Sequence, residues 1–255
     1  MTSQIPANPV STARMPDILP VPGHHGRVRV RPITPELFVE GLAERIERSS
    51  PRAWLTVALD GPPPPGANPL SSPSSADSPL AGPDPLAAAL VEALRLRGRP
   101  AHVVPANGFL KSASLRLEQG RTNPDAFYTD WLDEAGLRRE VLDPARPDGS
   151  GRILPSLWDP ATDRASRAAY APLEPSAVVL VTGGFLLGGA LGFDLTVHLV
   201  VSPAALARRT PPEWEWTLPA WRRYAAEVDP AGWADVVVRT DDPRHPALVE
   251  RLSDE

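Results

Sequence analysis

Hydrophobic residues fall into two textures along this chain: short unbroken apolar runs, and longer stretches with an apolar residue every three or four positions. Residues 53–60 form one such run and end in Asp60-Gly61. Residues 177–182 form another, six apolar or β-branched positions in a row, the pattern of a strand buried on both faces of a parallel sheet. Residues 101–105 read as a second buried strand, 193–201 and 234–238 as further strands, the last of these closing the sheet, and Val28-Arg29-Val30 as a short edge strand. Between them lie helical patterns. Thr34-Pro35 supplies an N-cap and first residue for a helix whose apolar stripe is Leu37, Phe38, Leu42 and Ile46. Residues 86–96 predict an alanine- and leucine-rich helix ending near Arg97-Gly98. Pro124 starts a helix over 123–131, residues 134–142 form an amphipathic segment carrying Arg138-Arg139, and Ser202-Pro203 caps a helix ending in Arg208-Arg209. Residues 152–155 and 157–159 read as the two arms of a hairpin. Alternating strands and helices predict an α/β fold with a mostly parallel central sheet and helices on both faces.

Composition changes this picture mainly at the margins. A chain of 255 residues with 33 Pro and 18 Gly suits one medium domain over residues 27–255 plus flexible segments. Residues 1–26 are proline-rich, lack helical period and lack the basic-then-apolar pattern of a secretion signal, so they read as a disordered tail. Residues 61–84 form a low-complexity loop rich in Pro and Ser. His24-His25, without Cys or carboxylate neighbours, reads as a solvated pair rather than a metal site. No cysteine excludes disulfides and fits a reducing cytoplasm. A net charge of −5 argues against nucleic acid as a partner, and no apolar run is long enough to cross a bilayer.

The candidate chemistry centres on the first strand, its Gly-Pro loop and the helix that follows. Strand, glycine loop and helix are the context in which backbone N–H groups and a helix N-terminus converge on a phosphate. A working loop reads G-x-x-x-x-G-K-[ST], with Lys on the β/γ-phosphates and the hydroxyl on Mg²⁺. Gly61 and Gly66 have the glycine spacing but are followed by Ala67-Asn68. An alternative alignment through Gly82 continues Pro83-Asp84. Neither supplies a lysine, since Lys111 is the only one in the chain. Asn107-Gly108-Phe109 stands at the carboxyl end of the second strand, where open α/β sheets place ligands.

Several of these features occur in the order seen in one family: Asp60-Gly61, Phe109, Pro124-Asp125-Ala126-Phe127, Gly151 through Trp158-Asp159, Gly183, Arg208-Arg209 and the strand at 234–238. In this the chain resembles the uridine kinases, P-loop nucleoside kinases related to phosphoribulokinase, and most closely an actinobacterial subgroup with a degenerate P-loop. The resemblance covers roughly residues 30–245. It implies a three-layer α/β/α P-loop NTPase-like fold and transfer of the ATP γ-phosphoryl group to the 5′-hydroxyl of uridine or cytidine with Mg²⁺. It also assigns positions. Asn107 takes the place of the base Asp, and Arg208 and Arg209 those of lid arginines. Asp60, Gly61, Gly66, Asn68 and Gly82 would face the nucleotide; Phe109, Arg116, Asp125, Phe127, Trp158, Asp159 and Arg164 would face the nucleoside. The acid expected before Gly183 falls on Thr182. No residue is assigned to a metal. Three readings follow: a uridine kinase-like enzyme, a non-catalytic pseudokinase that binds a nucleoside or nucleotide, or a protein-interaction module with the proline-rich loop of residues 61–84 as the contact.

Overall fold

The computed structural model describes residues 28–49, 54–70 and 76–251; the tail over 1–26, the pair His24-His25 and the serine-rich 71–75 stretch lie outside them. Seven strands form the main sheet: β1 (Val28–Pro32), β2 (Leu55–Asp60), β3 (Ala101–Pro105), β4 (Val178–Gly183), β5 (Leu195–Val200), β6 (Val236–Arg239) and β7 (Ala247–Arg251). Their spatial order is β1-β7-β6-β5-β2-β4-β3. β3, β4, β2, β5 and β6 run parallel, while β7 pairs antiparallel with both β6 and β1.

Alternation along the strands divides the core into two layers. Val57 and Leu59 of β2, with Val178 and Leu180 of β4, meet α1 (Pro35–Ser49) and α2 (Pro83–Leu96). Ala58, Val179 and Val181 face the other way, toward Leu137, Val141 and Tyr224 of α5 (Leu218–Glu227). The remaining helices used below are α3 (Pro124–Thr129) and α4 (Pro203–Arg209). Two matching clasps hold the central register. Thr56 donates its N–H and hydroxyl to Asp194 Oδ2 at 2.8 and 2.7 Å, and Thr196 does the same to Asp235 at 2.8 and 2.7 Å. Each aspartate N–H returns a bond to the threonine hydroxyl.

Five expectations need correction. Leu37 is 64% exposed, because about 100° per residue puts it opposite Ile46 on α1; Val39 and Ala43 complete the buried stripe instead. β3 is a sheet edge and only half-buried. The segment over 134–142 divides into a helical turn, Glu134–Leu137, and a π-helical turn, Arg138–Leu142. Residues 152–155 and 157–159 do not pair with each other: Arg152–Ile153 pairs with Ala171–Pro172, and Trp158–Asp159 with Arg164–Ala165. The strand at 234–238 is not the last, since β7 follows and returns antiparallel.

Candidate functional site

The carboxyl ends of β2, β3 and β4 open onto a cavity of about 120 Å³, bounded on one side by the proline-rich segment after Gly61 and on another by α3. The segment begins at Gly61 (φ 156°), where a Cβ would lie 3.0 Å from Leu199 Cβ, and its N–H donates to Gly183. Four prolines then pass without a single N–H donor. Gly66 (φ 72°) turns the chain and donates to the Arg209 carbonyl at 2.9 Å, and Asn68 closes a short turn by accepting from Leu70 N–H. Gly61, Pro63, Pro64 and Asn68 all line the cavity.

Gly82, not Gly66, stands at the start of α2. A Cβ there would lie 2.9 Å from Pro64, so the proline segment is packed directly onto the helix start. The first turn reads Pro83-Asp84-Pro85. Two of its first three positions lack an N–H, which removes most of the donor set that makes a helix N-terminus a phosphate site. The remaining position supplies a carboxyl group. Asp84 lines the cavity, accepts a hydrogen bond from the Thr182 hydroxyl, and has its carboxyl pushed above the usual carboxylate range by burial, against the Thr182 bond that favours ionisation.

The other walls are aromatic. Phe127 and Tyr128 of α3, Trp131, Phe185 and Trp221 of α5 line the cavity with Asn107. Phe127 meets Trp131 and Phe185 edge-to-face at centroid distances of 4.9 and 5.4 Å, and Phe185 lies 4.2 Å from Trp221. Phe185 adopts φ 62°, an uncommon conformation for a bulky side chain. A buried knot holds it there. Asp60, fully buried, accepts from Leu186 N–H at 2.9 Å, from the Tyr224 hydroxyl at 2.9 Å and from His198 Nδ1 at 2.6 Å. The Tyr224 hydroxyl accepts in turn from Leu187 N–H at 3.2 Å.

The structure therefore redistributes the expected site residues. Gly61, Asn68, Asn107 and Phe127 reach the cavity. Asp60 does not face a nucleotide; its oxygens are spent on the knot. Gly66 lies off the cavity lining, and Phe109 is fully buried in the core beneath the turn Ala106–Phe109. Asp125 is exposed and pairs with Arg223 at 2.9 Å. Trp158, Asp159 and Arg164 do not line this cavity but come together on the hairpin, where they line a separate, more open space of about 740 Å³; the Trp158 indole donates to Asp163 at 3.0 Å and Asp159 accepts from Thr162. Arg116 is 3% exposed, donates to the Lys111 carbonyl and stacks 4.9 Å over Trp131; burial lowers its pKa. Arg208 is exposed. Arg209 lines a smaller space of about 10 Å³ that shares Pro63, Pro64, Ala67, Pro69 and Trp221 with the cavity. Two of its guanidinium nitrogens are buried without partners, and desolvation lowers its pKa to about 10. Sequence reasoning missed His198 and Tyr224, as well as Tyr128, Trp131, Phe185 and Trp221 as cavity walls. The position of Phe185 just past Gly183-Gly184, at a strand's carboxyl end, was the available signal.

No protein-family model matches the chain, and no curated protein matches it significantly. Solved structures do. A possible uridine kinase from Bacillus stearothermophilus superposes with TM-score 0.57 at 19% identity, covering 78% of this chain and 96% of that one. A candidate fructose transport system kinase from Silicibacter sp. TM1040 superposes with TM-score 0.51 at 26% identity, covering 78% and 92%. The parallel strand order β3-β4-β2-β5-β6 and these two neighbours agree: this chain has a P-loop kinase-like α/β fold.

Proposed function

We propose that this chain is a nucleoside-binding protein on a P-loop kinase scaffold and does not transfer a phosphoryl group. The observation that carries this reading is the first turn of α2, where Pro83-Asp84-Pro85 stands in place of phosphate-binding donors. ATP and Mg²⁺ are what the family resemblance implies, but the residues do not suit them. Neither Lys nor Arg lines the cavity, and a carboxyl group faces the space a phosphate would need. Among the described residues no three His, Cys, Asp or Glu converge on a point that could hold a metal ion. Loss of one cationic contributor to phosphoryl transfer costs on the order of 10³–10⁵ in rate. Asn107, where the resemblance puts the base, is an amide and cannot take a proton from a hydroxyl at neutral pH.

What remains suits a nucleoside: an aromatic-walled cavity at the carboxyl ends of the strands, lined also by the amides of Asn68 and Asn107. The ligand is a small molecule rather than nucleic acid or membrane, and the cysteine-free chain suits the cytoplasm. The test is long incubation of stoichiometric protein with MgATP and uridine or cytidine, with chromatographic detection of UMP and CMP. No product, with uridine still raising the melting temperature, is the expected result. One observation favours a second reading. The unpartnered nitrogens of Arg209 would let a moved proline segment rebuild a phosphate site. In that case product forms, and it disappears in Arg209→Ala.

A further inference from the structure

The charge of the cavity wall is one-sided. Its ionisable side chains are Asp84, Glu134 and Tyr128; no Lys, Arg or His is among the residues that line it. Asp84 is half-buried, with the Thr182 hydroxyl as its donor, and Glu134 is exposed at the helical turn Glu134–Leu137. Five aromatic side chains surround these acids. An aromatic face carries the negative lobe of the ring quadrupole, so rings and carboxylates favour the same sign of guest. An anion would meet both as repulsion, whereas an uncharged nucleoside gives the half-buried Asp84 carboxyl no counter-charge beyond its Thr182 donor.

The chain itself shows what these rings accept. Arg116 lies 4.9 Å from the centroid of Trp131 and Arg223 lies 5.0 Å from that of Tyr128. Neither arginine lines the cavity, so each approaches its ring from outside. Both are occupied: Arg116 with Asp163 at 3.7 Å, and Arg223 with Asp125 and Glu227 at 2.9 and 2.8 Å. Inside the cavity Phe185 and Trp221 have no such guanidinium neighbour among the described contacts. Arg209 is kept apart by Pro63, Pro64, Ala67 and Pro69, which wall both its small space and the cavity.

We propose that this cavity favours, over an uncharged nucleoside, a ligand that carries a positive charge, an organic ammonium or amidinium group on a flat or apolar body, with the cation placed between Asp84 and the aromatic walls. The inference rests on the reading of this cavity as a ligand site and adds to it the sign of the ligand's charge. The test uses benzyltrimethylammonium, whose charge is independent of pH, against uncharged benzyl alcohol, with uridine as a third probe. Binding is followed by calorimetry and by tryptophan fluorescence, since Trp131 and Trp221 line the cavity. The cation binds about tenfold or more tighter than the alcohol, and Asp84→Asn brings that ratio close to one, as expected for loss of a desolvated carboxylate partner. Equal binding of cation and alcohol while uridine binds overturns the charge inference and leaves the cavity a ligand site. A preference for the cation that survives unchanged in Asp84→Asn overturns the role given to Asp84. Silence from all three probes overturns both the inference and the reading beneath it.

Discussion

Tyr224→Phe is the perturbation that most directly tests how the cavity wall is held. The phenol ring is 2% exposed and packs among Phe185, Tyr128 and Trp221, and phenylalanine keeps those contacts. Only the hydroxyl goes. It donates to Asp60 Oδ2 at 2.9 Å and accepts from Leu187 N–H at 3.2 Å, so its loss takes one of three donors from a fully buried carboxylate and strands a buried N–H. A hydrogen bond to a charged group contributes about 1.5–3 kcal/mol, and an unsatisfied buried donor costs about 1–3 kcal/mol. The two terms overlap, and a loss of about 2–4 kcal/mol is expected. For a chain of this size that lowers the melting temperature by about 4–16 °C, at about 2–4 °C per kcal/mol. Urea unfolding followed by circular dichroism measures it, with an unchanged m-value showing that the native state is otherwise intact. Burial, reinforced by Asp60, raises the Tyr224 phenol well above its usual value of 10.0. The folded state therefore holds a proton that the unfolded chain releases above pH 10, and stability falls there as pH rises. Tyr224→Phe lacks that proton, so the gap between the two proteins narrows above pH 10. A loss under about 0.5 kcal/mol at neutral pH would refute the reasoning, because a hydroxyl holding a buried carboxylate cannot be that cheap to remove.

Three further outcomes are expected. Gly82→Ala places a Cβ 2.9 Å from Pro64 and costs about 1–3 kcal/mol by overpacking, read as a lower urea midpoint; an unchanged midpoint would mean that the proline segment does not pack on α2. Asp84→Asn gains stability relative to the parent as pH rises. Burial raises the Asp84 pKa, so the folded state binds more protons than the unfolded chain from the ordinary value of 3.8 upward, and the parent loses stability through that window. Paired unfolding at pH 4 and pH 7 tests this, and a difference that ignores pH would count against it. Arg209→Met removes a desolvated guanidinium with two unpartnered nitrogens and stabilises the protein by about 1–2 kcal/mol, whereas a clear loss would show that those nitrogens have partners in solution.

What the sequence revealed of the fold was what local pattern encodes. The continuous apolar runs at 55–60 and 178–183 gave buried parallel strands because nothing but double-sided burial suits them. Proline and serine punctuation placed α4 and α3 to within a residue or two: Ser202 caps α4 as expected and Pro124 starts α3, with Asn123 as the cap that the sequence reading did not name. β7 escaped because its short run of Ala, Leu, Val, Glu and Arg is no more apolar than a loop; only pairing with β6 and β1 makes it a strand. The site was legible by location rather than by residue. The carboxyl ends of β2 and β3 do open onto the cavity. Asp60 was assigned to a nucleotide because its partners His198 and Tyr224 lie 138 and 164 positions away, and nothing local links them. Phe109 and Trp158 are both aromatic residues after a strand or turn, yet one is core and the other surface, a distinction set by tertiary packing alone.

The most direct test of the proposal that this kinase fold binds a nucleoside but not its phosphate is a pair of tryptophan-fluorescence titrations, uridine against UMP. The two ligands share a base and sugar and differ by one phosphate at the atom a kinase would modify. Trp131 and Trp221 in the cavity wall report either ligand. Uridine binding with UMP about tenfold weaker or worse is the expected result, since the added dianion meets Asp84 and a helix start stripped of donors. UMP binding tighter than uridine would contradict the account, because only a working phosphate site could reward that charge.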